Sequence, residues 1–220
     1  MDRRAFMAGG AAVAVAALGG IWYSARPQTT AIPAMPTVSS QGSADTSGIV
    51  EMTLGAEDAP VTLTEYASFT CPHCANFHKA VFKDLKRDYI DTGKVKFVYR
   101  DVYFDQFGLW AALIARCEPT RFFGISDMLY AQQKDWIGNG DPAGIAERLR
   151  KIGLVAGLES DAMEACLTDE DQARALVAWF QENAQSDDVT GTPTLLIDGE
   201  KHPNMNYNDL KALLDAKLEG

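Results

Sequence analysis

Two cysteines separated by two residues are the part of this 220-residue sequence best suited to chemistry. Cys71 and Cys74 enclose Pro72 and His73 in the motif CPHC. Two thiols at this spacing can close into a disulfide and open again, and the thiolate is the nucleophilic form of cysteine. The alternatives are a purely structural disulfide or a structural zinc site, for which His78 would be the third of the four ligands needed. We interpret the motif as a candidate redox centre.

The expected position of the two thiols on a helix makes them unequal. Pro72 suits the first helical position, so Cys71 becomes the cap, with its sulfur at the positive end of the helix dipole beside unpaired backbone N–H groups. Cysteines so placed have pKa values lowered from about 8.5 to roughly 3.5–7.5. A protonated His73 would add a second positive partner. Cys74 shares an apolar face with Phe77, so we expect Cys71 to be the exposed, acidic thiol and Cys74 the shielded one.

This asymmetry predicts the course of a thiol–disulfide exchange. A substrate thiolate attacks Cys71 in the disulfide, and a second substrate thiol then displaces Cys71 from the mixed disulfide. Because the Cys71 thiolate is stabilised, the reduced form is favoured and the protein gives its disulfide away. In the reverse direction Cys74 attacks the mixed disulfide. The motif therefore predicts an oxidant of thiols that needs no metal or organic cofactor.

The residues around the motif have the pattern of a strand, a helix and a strand. IVEMTLG (49–55) alternates as a short strand, and VTLTEYASF (61–69) alternates as a second strand. Apolar residues then recur at helical spacing from Cys74 to Leu85. KVKFVYRDVYF (94–104) alternates as a third strand. Together they predict a βαβ unit with a right-handed crossover.

The second half of the chain changes its period twice. Residues 106–186 show the helical period throughout, which predicts an all-helical insertion. PTLLI (193–197) and EKH (200–202) then predict a β-hairpin, followed by a last amphipathic helix. We therefore predict an α/β fold in which the insertion interrupts one sheet domain, formed by 49–105 and 187–220.

The N-terminal residues differ from the rest. Residues 1–25 begin with Arg3 and Arg4, continue as an uncharged Ala/Gly/Val run and end in small residues, which is the layout of an export signal. The arginine pair also resembles a twin-arginine signal. The alternative is an uncleaved transmembrane helix that would tether the protein to the inner membrane. Residues 26–48 are rich in Pro, Ser and Thr and predict a disordered linker. Either way, the rest of the chain would face an oxidising compartment.

Composition narrows the class of partner. The formal charge of −10 and the isoelectric point near 4.7 argue against nucleic acid, whose binding needs a basic face. Hydrophobic residues make up 47% of the chain and can fill a sizeable core. Four cysteines are too few for a disulfide framework at this length. We therefore expect protein partners.

A second chemical clue lies in DVTGTPTLLID, where Thr192 precedes Pro193 at the start of a strand. Proline at such a position is either an edge device or a cis bond in a tight turn. CxxC at a βα junction, with a Gly-Thr-Pro-Thr turn ahead of a hairpin, resembles the thioredoxin fold. The βαβ half, the helical insertion and the ββα half together resemble the DsbA-type thiol:disulfide oxidoreductases of the bacterial envelope. This resemblance covers residues 49 to about 218.

The resemblance implies how substrates and partners are engaged. Pro193 would be cis and would pack beside the active-site disulfide, while the backbone of Thr192 would pair with an extended substrate segment. Reduced or unfolded exported proteins would be the substrates, and a membrane quinone-linked protein would reoxidise a monomeric enzyme in the periplasm. Thr192 departs from the strong oxidases of the family, which carry Val there, and is more usual in isomerases.

The resemblance also assigns a role to an acidic residue. Glu65 matches the buried acid that family members carry beneath the active site, where it could take a proton from Cys74. Its pattern on the strand places it on the apolar face, although an exposed strand carboxylate is the alternative. Lys96 and Arg100 are the candidates for the basic partner of this acid.

The remaining cysteines and histidines carry weaker expectations. Cys117 and Cys166 each lie on an apolar helical face of the insertion, as either buried thiols or a structural disulfide. His78 and His202 are expected to be ordinary surface or hinge residues. Trp110 and the pair Phe122 and Phe123 are expected in the core of the insertion rather than in a peptide groove.

The sequence thus favours one function and leaves two alternatives open. The first hypothesis is an exported thiol oxidase that introduces disulfides into newly translocated proteins through Cys71. The second is a disulfide isomerase or reductase. The third is a tethered peptide-binding chaperone in which the CxxC motif has no redox role.

Overall fold

The computed structural model describes residues 44–220. The predicted export signal and residues 26–43 of the predicted linker lie outside the described residues. Within the described part, none of the helices combines the length and the apolar character needed to span a bilayer.

Strands and helices follow the predicted order; the first four strands are shorter than the sequence patterns indicated, and the last is one residue longer. The strands are β1 (Met52–Leu54), β2 (Val61–Ala67), β3 (Val95–Asp101), β4 (Thr194–Ile197) and β5 (Glu200–Pro203). The helices are α1 (Pro72–Phe77), α2 (Lys83–Leu85), α3 (Gln106–Arg116), α4 (Phe122–Ala131), α5 (Gln133–Ile137), α6 (Pro142–Val155), α7 (Ser160–Leu167), α8 (Glu170–Ser186) and α9 (Tyr207–Glu219). A π-helical segment, His78–Phe82, joins α1 to α2, another, Lys86–Ile90, follows α2, and a 3-10 turn, Pro119–Arg121, precedes α4.

The five strands of the described chain form one mixed sheet in the order β1-β3-β2-β4-β5. β2 and β3 run parallel, and the helical segment from Pro72 to Ile90 is the crossover that connects them. The other three pairs are antiparallel. β4 and β5 form the predicted hairpin, whose turn residues Asp198 and Gly199 both have positive φ, as a two-residue hairpin turn requires. This topology places the C-terminal end of the central strand β2 directly before the CPHC motif.

The crossover helix presents one continuous apolar face to the sheet. The predicted positions Cys74, Phe77, Val81 and Leu85 are all buried. The helix widens into π-helical turns at two places, which the sequence pattern did not indicate.

The residues with a helical period between 106 and 186 correspond to α3 through α8. α3 is the centre of this layer, because it is buried from Gly108 to Arg116 and packs against α4, α6 and α7. The aromatic residues expected in the core lie there: Trp110 and Phe122 are buried, and Phe123 packs against the core.

Cys117 and Cys166 form a disulfide. It joins the end of α3 to α7, with the two Cα atoms 5.7 Å apart. Of the two states that the sequence left open, the structure therefore contains the disulfide.

A buried ion pair joins the helical layer to the sheet. Arg116 at the end of α3 donates to Asp101 at the end of β3 over 2.7 Å, and both side chains are almost fully covered. The same guanidinium donates to the carbonyl oxygen of Val50 at 2.8 Å. Removal of either partner would leave the other charge buried without compensation, so the pair constrains how α3 lies against the sheet.

Candidate active site

Cys71 is the N-cap of α1, as predicted, with extended backbone angles before Pro72 at the first helical position. Its side chain is more covered than expected: Cys71 is 8% exposed and Cys74 is 0% exposed. The cause is the turn that contains Thr192, whose carbonyl oxygen accepts a hydrogen bond from the Cys71 thiol at 3.5 Å. The prediction of an exposed Cys71 is therefore wrong in degree, although Cys71 remains the more accessible of the two thiols.

The two thiols differ strongly in proton affinity. The pKa of Cys71 is lowered to about 5, first because the Cys74 thiol donates a hydrogen bond to the thiolate, against the opposing effect of burial. The Thr192 side chain and the backbone N–H groups of Cys74 and His73 lower this pKa further. The pKa of Cys74 is raised far above its ordinary value, first by burial, then by the bond to Cys71 and by the charge of Glu65.

The predicted asymmetry of the thiols is therefore confirmed, but its causes are partly different. The helix terminus acts through its backbone N–H groups, as expected. His73 acts through its main chain, whereas the sequence prediction gave that role to a protonated imidazole, and its side chain is exposed. The largest cause is the neighbouring thiol itself.

The turn opposite Cys71 contains a cis peptide bond between Thr192 and Pro193, as the resemblance implied. The Thr192 carbonyl oxygen is the acceptor for Cys71. The Thr192 hydroxyl is buried and has no hydrogen-bond partner among residues 44–220. A thiolate at Cys71 would give that hydroxyl an acceptor, which is one of the causes of the lowered Cys71 pKa.

One residue of the helical insertion and the residue directly before the insertion hold the segment that leads to Cys71, and sequence reasoning missed both. The Gln133 amide on α5 donates to the carbonyl oxygens of Phe69 at 2.8 Å and Cys71 at 2.9 Å. Asp105, the N-cap of α3, accepts from the Thr70 hydroxyl at 2.8 Å. Asp105 carries a detectable signal, because Asp directly before a helical period predicts a cap. No sequence signal marks Gln133.

Glu65 lies on β2 and is fully buried, so the alternative of an exposed strand carboxylate is wrong. Its partner is His78, whose Nε2 lies 2.9 Å from Glu65 Oε2. The two basic candidates lie elsewhere: Lys96 pairs with Glu57, and Arg100 pairs with acidic residues at the surface of the sheet. Neither candidate contacts Glu65, and the basic side chain observed against the buried acid is His78.

His78 is 4% exposed, so its expected place at the surface or in a hinge is wrong. It follows Cys74 by four residues, which puts both on the face of the helix that meets the sheet. That spacing is the sequence signal from which the burial of His78 could have been predicted. His202 lies on β5 beside Glu200 and is partly buried, with 16% of its side chain exposed, so it is less exposed than the sequence prediction indicated.

Thiol–disulfide exchange is the chemistry that this arrangement supports. A stabilised thiolate at Cys71 has a second thiol three residues away, and a turn with a cis proline lies against it. Within residues 44–220, no group of three or more His, Cys, Asp or Glu is placed to hold a metal ion, so the zinc alternative finds no ligand set there.

Comparisons with known proteins agree with this geometry. A family model described as Thioredoxin matches residues 47–216. A putative protein-disulfide oxidoreductase of Rickettsia bellii (strain RML369-C) is 31% identical over 171 residues, which are 77% of this chain and 65% of that protein. This chain therefore spans slightly less than two thirds of that relative's length.

Solved structures show the same fold. The crystal structure of Wolbachia pipientis alpha-DsbA1 matches with a TM-score of 0.70 and 25% identity, over 77% of this chain and 91% of that chain. A protein-disulfide isomerase from Novosphingobium aromaticivorans matches with a TM-score of 0.67 and 26% identity, over 77% of this chain and 98% of that chain. The predicted α/β architecture, a thioredoxin fold with added helices, is confirmed.

Proposed function

The chain belongs to the thioredoxin family, and from this premise we propose that it is a DsbA-like thiol:disulfide oxidoreductase that donates its Cys71–Cys74 disulfide to exported proteins. The observation that carries the proposal is the opposite shift of the two thiol pKa values. A sulfur with a low pKa is a good leaving group, and its stabilised thiolate favours the reduced protein. The disulfide is therefore readily given to other polypeptides.

The exchange has two steps. A client thiolate attacks the Cys71 sulfur, the Cys71–Cys74 bond breaks, and Cys74 leaves as a thiolate that takes up a proton. A second client thiolate then attacks the client sulfur of the mixed disulfide and expels the Cys71 thiolate, so the client is oxidised and the enzyme is reduced. The backbone beside Thr192 would hold an extended client segment by main-chain hydrogen bonds, which accept many sequences.

We further propose that the enzyme works in the periplasm. Two features support this location: the signal-like layout of residues 1–25, and the disulfide between Cys117 and Cys166, since disulfides persist in oxidising compartments. A membrane quinone-linked protein would reoxidise the monomeric enzyme there.

The proposal predicts how the two cysteines differ in an oxidation assay. The oxidised protein should convert a reduced, unfolded ribonuclease to its disulfide form stoichiometrically, and Cys71→Ser should abolish this because the attacked sulfur is gone. Cys74→Ser, mixed instead with a client that contains disulfides, should accumulate a mixed disulfide between Cys71 and the client, because the Cys71 thiolate displaces one client thiolate and no Cys74 thiol remains to resolve the product; non-reducing electrophoresis detects it. If Cys71→Ser oxidised the client normally, the assignment of the reaction to Cys71 would be wrong. If it left both client binding and the phenotype of cells unchanged, a chaperone without redox function would be the better account.

A second candidate, a disulfide isomerase, is favoured by two observations. Thr192 precedes the cis proline, and the similar structure from Novosphingobium aromaticivorans is described as a protein-disulfide isomerase. The equilibrium potential of the Cys71–Cys74 couple against glutathione separates the two functions. A potential of about −120 mV indicates an oxidase. A potential of about −180 mV, together with reshuffling of scrambled disulfides, indicates an isomerase.

A further inference from the structure

Glu65 lies beneath the thiol pair with no direct access to solvent. It is fully buried on the central strand β2. One carboxylate oxygen, Oε2, contacts His78, and the other, Oε1, has no hydrogen-bond partner among the described residues. The charge of Glu65 acts on Cys74, which is also fully buried. A proton that reaches or leaves Cys74 by way of Glu65 must therefore pass through another group.

The proposed reaction requires such a passage in both directions. When a client thiolate breaks the disulfide, Cys74 leaves as a thiolate and must gain a proton. When the enzyme is reoxidised, the Cys71 thiolate first attacks the disulfide of the oxidising protein. The Cys74 thiol must then lose its proton before it attacks Cys71 and expels the partner's thiolate. Each half of the cycle thus moves one proton to or from a sulfur that solvent does not touch.

His78 connects this buried region to a cleft. Its Nε2 contacts Glu65, while the ring stacks on Tyr130 at 4.1 Å between centroids and lies 4.7 Å from the ring of Phe82. The histidine is also part of the wall of a cleft of about 550 Å³ between the first crossover turns and the helices α4 and α5. One edge of the imidazole therefore meets the buried acid, and the same side chain borders solvent.

We propose that His78 is a positioning residue that acts through Glu65 and relays protons between Cys74 and the solvent of this cleft. The proposal deepens the proposed function and rests on it. During client oxidation, Nδ1 takes a proton from solvent, Nε2 releases one to Glu65, and Glu65 passes one to the Cys74 thiolate. During reoxidation the same transfers run backwards, so neither half of the cycle leaves an additional charge in the core.

The position of the cleft suits this role. It borders the first turn of α1 through Pro72 and Ala75, and neither Thr192 nor Pro193 lines it. A client held at the cis-proline turn would therefore leave the proton route open.

The titratable groups around the relay come from every element packed against it. They are Glu65 on β2, Cys74 on α1, Tyr99 on β3, Tyr130 and Asp127 on α4, Lys134 and Asp135 on α5, and Lys79 and Lys83 on the crossover itself. The cleft thus has charges of both signs. Tyr99 and Tyr130 bond to each other through their hydroxyls, and their pKa values are raised well above the ordinary value by burial, so neither competes for the proton at neutral pH.

The test isolates the step in which Cys74 loses its proton. The reduced full-length protein is mixed with oxidised glutathione, and acid quenching with mass spectrometry follows the adduct on Cys71 and its resolution by Cys74. His78→Gln keeps an amide that can bond to Glu65 but cannot relay a proton. It should slow the resolution roughly tenfold and remove a step from its pH profile, a smaller loss than that from removal of a direct general base. Combined with Glu65→Gln it should add no further loss, because the histidine acts through the acid.

Two further variants separate a relay from a structural role. Phe82→Leu, the matched control, removes an aromatic neighbour of His78 and should lower stability without changing the pH profile. Imidazole added to His78→Ala should enter the cleft and restore the rate. The relay is wrong if His78→Gln resolves the adduct at the wild-type rate, if Phe82→Leu reproduces its pH profile, or if imidazole has no effect. A wild-type protein that never resolves the adduct would instead contradict the proposed function.

Discussion

Cys71 and Cys74 are three residues apart, yet their surroundings change their proton affinities in opposite directions. Cys71 receives hydrogen bonds from a thiol, a hydroxyl and two backbone N–H groups, and these outweigh the cost of its burial. Cys74 receives little of this support and lies near the charge of Glu65. The pair therefore consists of one sulfur that is ready to leave and one that holds its proton.

The lowered pKa of Cys71 predicts a pH dependence of stability for the reduced protein. Since the folded pKa is about 5 and the ordinary value is 9.0, the stabilisation by Cys71 is complete above pH 9, declines as the pH falls, and is absent below pH 5. The raised pKa of Cys74 acts only above its ordinary value of 9.0. Urea unfolding of reduced wild-type protein should therefore show a free energy of unfolding that rises from pH 5 to pH 9 relative to reduced Cys71→Ser. Parallel curves for the two proteins would contradict the lowered pKa.

Single residues of the site were predictable where their signal is local. The CPHC motif identified both thiols, whereas the proline ahead of a strand left the cis bond open and only the family resemblance implied it. The burial of His78 could have been predicted, because residues four apart on a helix lie on the same face and Cys74 was expected to be buried. Gln133 was not, since its two carbonyl acceptors lie more than sixty residues away in the chain and only the tertiary fold brings them together.

At the level of elements, α3 begins at a residue that also holds the active-site segment. The Asp105 carboxylate accepts hydrogen bonds from the backbone N–H groups of Phe107 at 2.8 Å and Gly108 at 2.9 Å. Its second oxygen accepts from the Thr70 hydroxyl. The start of the insertion and the residue before Cys71 are therefore fixed by one side chain.

This double role predicts that Asp105→Ala affects both stability and reactivity. Loss of a cap costs about 1 kcal/mol, and loss of a hydrogen bond to a charged group adds about 1.5–3 kcal/mol. The matched control is Asp141→Ala, because Asp141 caps α6 through Gly144 and forms no hydrogen bond with the active-site segment within residues 44–220. Denaturant unfolding should show the larger loss for Asp105→Ala, and only that variant should change the rate at which Cys71 reacts with a thiol reagent. Equal effects of the two substitutions would show that the Thr70 bond contributes nothing.

Elements were predicted well where periodicity is strong and poorly at their boundaries. The β4–β5 hairpin followed from Asp198 and Gly199, whose types allow positive φ. β2 ends at Ala67 rather than Phe69, because the backbone turns there and the Cys71 N–H donates to Ser68 O at 3.1 Å. The π-helical turns could not be predicted, since one extra residue per turn hardly alters an apolar pattern.

At the scale of the whole molecule, the helical layer and the sheet depend on cross-connections far apart in sequence. The pair of Asp101 and Arg116 joins β3 to α3, and the Cys117–Cys166 disulfide closes a segment of 49 residues within the helical layer. Such pairings could not be read from the sequence, which gives residue types and not their separation.

The disulfide predicts a measurable loss of stability in Cys117→Ala/Cys166→Ala. A closed loop of this length restricts the unfolded chain, so its removal should lower the free energy of unfolding by about 2–4 kcal/mol. Guanidinium unfolding of the oxidised wild type and of the double variant measures the difference. Cys71 and Cys74 are unchanged in this variant, so client oxidation at a temperature where both proteins are folded serves as the control. Identical unfolding midpoints would show that the disulfide leaves the unfolded chain unrestricted.

The Cys117–Cys166 bond has one more consequence under the proposed function. A freshly synthesised copy contains four thiols, and two of them belong to a bond outside its own reactive pair. Folding of each new molecule then requires oxidation of Cys117 and Cys166, which is the reaction that the enzyme would perform on other exported proteins. Mature copies of the enzyme would form the Cys117–Cys166 disulfide in newly made copies. In a cell without mature copies, this bond would have to be formed first by a slower oxidant.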